Sequence, residues 1–270
     1  MNQDQEPPSY DHAVQASLDP DNFVHRLGRL ADASVDSFER GELFTQAFRS
    51  QLDTIPPSLI EDVANHGLVS SLGLDEATHA NDLFRHPLAR SRPALHIMNR
   101  TTVQLWPNHP MQADMDLTVQ ATHPFLAQYG GREARLHYFE VTLVTTHPNS
   151  VIAVGLTTRP YPLFRMPGWN RYSVGYHSDD GCKFLEDATG GQDYGPSFKQ
   201  GDTVGCGYEP VEGNVFFTLN GYRIGYAYTG LQPRHYFASV GADGPATLDV
   251  NFGARPFLYD IGDAWAGLTI

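Results

Sequence analysis

The feature that most constrains this chain is a series of short alternating segments between residues 137 and 252, interrupted by no helix-length pattern. In 138–145 the residues Phe139, Val141 and Leu143 share one face, as the two-residue period of a strand requires. Comparable runs follow at 150–156, 172–177, 203–208, 215–219, 222–228, 236–241 and 247–252, with Gly, Pro, Asn or Asp between them. Asn220-Gly221 separates two of these runs and signals a type I′ hairpin, in which both central residues need positive φ. Strands of this length and spacing predict a mainly β protein built as an antiparallel sandwich or barrel.

The N-terminal third has a different texture. Residues 1–19 are polar, contain Pro7 and Pro8, and predict an extended or disordered tail. Beyond them apolar residues fall at Phe23, Leu27 and Leu30, then Phe44, Phe48, Leu52 and Ile55. These three- and four-residue steps predict amphipathic helix, with Gly41 dividing the run in two. Pro56-Pro57 closes it and opens a short helix over 58–66, with Gly67 as its C′ residue. The expected organisation is a tail over 1–19, a helical extension over 20–95, a sandwich over 96–260 and a second tail over 261–270.

Charge and composition exclude several classes. With 31 acidic and 18 basic side chains the formal net charge is −13. A binder of nucleic acid or of an anionic membrane needs a basic patch, so neither partner is expected. Cys182 and Cys206 are too few for a disulfide framework or a four-cysteine zinc site, and they read as free thiols of a reducing compartment. No apolar run is long enough to predict a membrane span. The polar, acidic N-terminus is neither a secretory signal nor a transit peptide, so the cytoplasm is the expected location.

Catalytic patterns are missing as well. Some β-sandwiches hydrolyse glycosides, with two carboxyls about 5 Å apart in retaining enzymes. Here Glu140 and Asp249 each stand alone on a strand, while Asp179-Asp180 and Glu186-Asp187 fall in turn-like segments. HExxH and GxSxG do not occur, and the twelve histidines show no metal-ligand spacing. GCGYEP at 205–210 begins like a dinucleotide fingerprint, but Pro210 takes the place of its third glycine. No enzyme activity, metal or cofactor is expected.

Five blocks carry a family resemblance: YFEVTLV at 138–144, IAVGLTTRPYPLFRMPGWNRYSVGYHSDDGCKF at 152–184, YGPSFKQGDTVGCGY at 194–208, VFFTLNGYRIGYAYTGL at 215–231 and SVGADGPATLDVNFG at 239–253. In order and spacing they resemble a SPRY domain. Two subgroups are similar, the Ran-binding-protein-M type and the fungal SPRY ubiquitin-ligase adaptors of endosomes and vacuoles. The resemblance implies a bent, concanavalin-like antiparallel sandwich that binds peptides or proteins through loops at one end.

The segment 160–181 is the most informative for contacts. Pro160, Pro162 and Pro167 limit its backbone freedom, and Gly168 permits a tight turn. It gathers Tyr161, Phe164, Arg165, Trp169, Asn170 and Tyr172, and aromatic and arginine anchors on prearranged loops suit a client-protein site. Tyr194 is expected to line the same end. Trp169, Tyr172 and Tyr176 could equally be core residues that define the fold.

A second signal is Pro7-Pro8-Ser9-Tyr10, a PPxY sequence. A polyproline II segment docks between WW-domain aromatics at little ordering cost, with the tyrosine in the next groove. Chance alone supplies roughly 0.06 such matches in a chain of this composition. The fungal adaptors use PPxY motifs to recruit WW-domain HECT ubiquitin ligases, so the resemblance implies that role for Pro7, Pro8 and Tyr10. Only two of the 18 basic residues are lysines, Lys183 and Lys199, and both lie far from this motif. That leaves few sites for self-ubiquitination, although an Arg-over-Lys codon bias explains the same count. The alternatives to an adaptor are a scaffold subunit of a stable multi-subunit ubiquitin-ligase complex and a carbohydrate-binding lectin-like module.

Overall fold

The computed structural model describes residues 33–66, 70–74, 94–106, 116–129 and 132–262. The PPSY sequence, the helical run around Phe23–30, most of 75–95 and the C-terminal residues beyond 262 lie outside the described residues.

Two seven-stranded antiparallel sheets face each other. The first runs, edge to edge, β1 (Leu72–Gly73), β4 (Leu117–Ala121), β15 (Phe237–Ala242), β8 (Ile152–Thr157), β9 (Ser173–His177), β10 (Cys182–Leu185) and β11 (Gln192–Asp193). The second runs β14 (Tyr222–Tyr228), β13 (Asn214–Leu219), β12 (Thr203–Glu209), β7 (His137–Thr146), β16 (Ala246–Asn251), β3 (Thr102–Trp106) and β2 (Ala94–Ile97). A small hairpin joins β5 (Gln128–Tyr129) to β6 (Arg132–Glu133). Each of the eight runs read from alternation falls on a strand. The face predicted to carry Phe139, Val141 and Leu143 looks into the core, where Val204, Cys206 and Tyr208 of the same sheet meet Ile152, Val154, Leu156, Val174 and Tyr176 of the other. Asn220 and Gly221 have φ of 50° and 82°, as the predicted hairpin turn requires.

The outer faces are covered too. On the second sheet the segment after β16 returns as a strap, with Phe257, Tyr259 and Ile261 packed on Leu136, Tyr138 and Phe216. On the first sheet lie two helices and the loop between β8 and β9. Helix α1 is Val35–Ala47, and its N-cap Ser34 accepts the amide of Ser37 at 3.1 Å. Helix α2 is Pro57–His66, as predicted to within a residue, with proline at its first position. Ile55 and Val63 pack on Leu126 and on Phe237 of β15.

Three sequence expectations need correction. Gly41 does not divide the helix; α1 runs straight through it. The glycine answers a tertiary demand, because a Cβ there would stand 2.9 Å from Asn170 Oδ1 and 3.1 Å from Arg165 Nε. The helical run also does not reach Ile55. It stops after Ala47, with Phe48 as its C-cap, so Leu52 and Ile55 belong to the turn that leads to α2. Within the segment read as helical extension, β1 pairs with β4 and β2 pairs with β3, so strands begin before residue 96.

Candidate functional site

The loop 158–172 leaves β8 and crosses the outer face of the first sheet; it does not stand at an end of the sandwich. On β4, Thr118 donates its amide to the Leu163 carbonyl at 2.8 Å and its hydroxyl to the Arg165 carbonyl at 2.7 Å. On β9, His177 donates Nε2–H to the Pro167 carbonyl at 2.9 Å. The loop can lie this close because β9 offers Gly175, where any side chain would run into that same carbonyl. Met166 and Trp169 then fill an apolar patch with Val151, Ala153, Cys182, Phe184 and Ala188. Within the loop, the Tyr161 hydroxyl donates to the Met166 carbonyl at 2.7 Å and accepts the Asn170 amide at 3.3 Å. Burial pushes the Tyr161 phenol up to about 12 and holds the His177 imidazole down at about 4.

Helix α1 lies over this loop. Arg165 Nη1 donates to Ser37 Oγ at 3.1 Å, and Asn170 Nδ2 donates to Thr45 Oγ1 at 3.2 Å. Arg40, paired with Asp36 at 2.6 Å, places its guanidinium 4.4 Å from the centre of the Phe164 ring. The start of the segment is tied where Ala33 donates its amide to the Ala188 carbonyl at 3.1 Å. Beyond the helix, Asp53 donates its amide to the Arg159 carbonyl at 2.9 Å and its carboxylate pairs with Arg234 and His235.

The expected contact residues therefore divide. Tyr161, Arg165, Trp169 and Asn170 are buried, Arg165 to 2% exposure and Trp169 to 7%. Phe164 and Tyr172 are half-buried at the rim, and Arg171 beside them is exposed. Tyr172 has a left-handed φ of 58°, and the Arg234 guanidinium sits 3.3 Å from its ring centre. Backbone in this region is uncommon for an aromatic residue and marks a position its surroundings hold in place. Tyr194 belongs to a different group. Its hydroxyl donates to Gly225 and accepts the Phe217 amide, and its ring meets Tyr176 at 5.4 Å.

The two strand carboxylates are engaged in hydrogen bonds that hold the scaffold. Glu140 accepts two strap amides and the Tyr138 hydroxyl, while Asp249 engages Thr102 and Arg255. Among the described residues, no cluster of three or more His, Cys, Asp or Glu could hold a metal ion. Both cysteines are buried and neither is in a disulfide, and burial raises the Cys206 thiol well above its ordinary value. No helix among the described residues is long and apolar enough to cross a membrane.

Comparison with known proteins bears on this face. The SPRY domain family matches residues 136–255. The sandwich is a SPRY domain. A crystal structure of a human SPRY domain superimposes with a TM-score of 0.50 at 29% identity, over 60% of this chain and 97% of that one. Ran-binding protein 9 of Xenopus tropicalis is 40% identical over 147 residues, 54% of this chain and 26% of the relative. Protein ssh4 of Sclerotinia sclerotiorum is 41% identical over 128 residues, 47% of this chain and 24% of the relative. The chain thus spans about a quarter of the length of these curated relatives. A SPRY domain is a protein-interaction fold, and the loop 158–172 lies within the matched segment.

Ser37, Thr45 and Asp53, which join the N-terminal segment to the SPRY domain, carry no motif in the sequence. The one local sign was Gly41, a poor helix former inside a helical pattern.

Proposed function

We propose that this chain is a non-enzymatic adaptor. Its SPRY domain binds a client protein at the loop 158–172, through Phe164 and Tyr172 at the rim and Tyr161, Arg165, Trp169 and Asn170 beneath, with Tyr194 as a more distant contact. Pro7, Pro8 and Tyr10 dock a WW-domain HECT ubiquitin ligase. The client is then ubiquitinated for sorting or degradation, with endosomal or vacuolar membranes as the place of action. The observation that carries this reading is the presence of PPSY on the same chain as a SPRY domain, in a chain 41% identical over 128 residues to protein ssh4. The resemblance to the fungal SPRY adaptors supplies the class of ligase. A pull-down with an immobilised WW domain tests it. Wild type is expected to be retained and Tyr10→Ala to be lost; equal retention of both removes the ligase-docking role.

The longer alignment, with Ran-binding protein 9 over 147 residues, favours a second reading as a scaffold subunit of a stable multi-subunit ligase complex. Native purification separates the two. A stoichiometric complex that is unchanged by Tyr10→Ala supports the scaffold.

A further inference from the structure

The face that α1 turns toward the SPRY domain is unusual for a docked helix. Its buried residues are Ser37, Arg40, Gly41 and Phe44, whereas Val35 and Leu43 are 75% and 58% exposed and Phe38 is also open. A surface helix ordinarily buries its apolar stripe. Here contact is made largely by hydroxyls, a guanidinium and a glycine.

The loop beneath is imperfectly satisfied. Arg165 Nε and Trp169 Nε1 are buried and have no hydrogen-bond acceptor. The two groups are neighbours, with the guanidinium carbon 5.6 Å from the indole ring centre and Arg165 Nη2 donating to the Trp169 carbonyl at 2.9 Å. Arg165 also forms no ion pair with a carboxylate among the described residues. Asp116 and Glu42 act on it only through space, and Arg40 opposes its charge. A buried guanidinium ordinarily finds a carboxylate, which its N–H edge matches two bonds at a time. Two buried N–H donors on neighbouring side chains, one of them a guanidinium with no ion-paired carboxylate, describe a carboxylate site under a helix that offers Arg165 a hydroxyl and no anion.

We propose that α1 is an intramolecular cover over the client-binding loop, and that the client displacing it presents an aspartate or glutamate side chain to Arg165 and Trp169. This rests on the reading that the loop 158–172 takes a client. With the face closed for part of the time, apparent affinity falls by the fraction of molecules that are open. Gly41 sets that fraction, since it alone lets the helix lie on Arg165 Nε and Asn170 Oδ1.

The test uses the full-length chain in three forms, wild type, Gly41→Ala and Ser37→Asp. Alanine favours helix over glycine, so the first variant leaves α1 helical while its methyl wedges it from the loop. Ser37→Asp puts a carboxylate beside Arg165 Nη1 and ties the cover down. Circular dichroism and thermal melts confirm that each is folded. The probe is an array of twelve-residue peptides with a central Asp or Glu, each paired with its Asn or Gln counterpart. Gly41→Ala is expected to bind acid-centred peptides about fivefold or more above wild type, with Ser37→Asp below it. Binding that is unchanged in folded Gly41→Ala, or indifferent to the Asp-to-Asn exchange, overturns the proposal. Capture of cellular proteins by all three forms alike rejects the cover and leaves the client reading standing. Capture by none, with peptides also unbound, rejects both.

Discussion

Glu140, on a central strand of the second sheet, accepts the main-chain N–H of Tyr259 at 3.0 Å, 119 residues further along the chain. The same carboxylate accepts the Leu258 amide and the Tyr138 hydroxyl, each at 3.0 Å. Tyr138 in turn lies edge-on to Phe257, with ring centres 4.9 Å apart. One carboxylate thus fixes the strap that seals the outside of that sheet. Glu140→Ala leaves two amides without their acceptor, while the Tyr138 hydroxyl keeps Thr218, and is expected to cost about 3 kcal/mol. Chemical denaturation measures the loss. Hydrogen exchange is expected to accelerate at Leu258 and Tyr259 ahead of global unfolding.

Acid is expected to destabilise the fold before ordinary carboxylates protonate. Burial holds His177 and His137 at about 4, below their usual 6.5, while each donates to a backbone carbonyl, Pro167 or Leu126. Above pH 6.5 both are neutral, folded or unfolded. As the pH falls below 6.5 the unfolded chain takes up these protons first, so stability is lost until the pH has passed through about 4, by about 3 kcal/mol for each histidine. Asp243 works in the opposite direction, because burial raises its carboxyl from 3.8 to about 6 and the folded chain keeps a proton that the unfolded chain releases. Thermal melts from pH 7 to pH 4 are expected to show a net fall. The fall should be shallower in His177→Gln, which keeps a donor for Pro167, and steeper in Asp243→Asn.

The two lysines are expected to differ in reactivity. Lys183 donates Nζ–H to the Ala227 carbonyl at 2.6 Å and faces the Tyr228 ring at 4.7 Å, whereas Lys199 is exposed in the turn before β12. Limited acylation with an activated ester, read by mass spectrometry, should modify Lys199 well before Lys183. The ligase of the proposed function would then find one open lysine on the SPRY domain. Gln15→Lys, which adds another beside the docking motif, is expected to shorten the lifetime of the protein in cells. An unchanged lifetime with WW-domain binding intact assigns the lysine scarcity to codon bias.

The strands of the SPRY domain were legible because alternation over 137–252 survives even where both faces are covered. In β8 every residue is buried, yet Gly155 and Ala153 on the loop side are small while Ile152, Val154 and Leu156 on the core side are large. The short strands β1, β5, β6 and β11 have two residues each and no room to show a period. Helix α1 misled for a physical reason. The apolar spacing of Phe44, Phe48, Leu52 and Ile55 described a helix face, but tertiary contacts with Arg165 and Asn170 decide which face docks. Arg165 and Asn170 are likewise covered by partners about 125 residues away in sequence, Ser37 and Thr45, and no local pattern marks it.

Ubiquitin-remnant mass spectrometry in cells tests the adaptor function most directly. Cells carry wild type, Tyr10→Ala, or a Phe164→Ala/Tyr172→Ala double substitution at the rim of the loop 158–172, each present at equal level. One set of proteins is expected to lose ubiquitin in both variants, because the proposed adaptor needs both surfaces to bring client and ligase together. Sets that do not overlap, or no change in either variant, would contradict it.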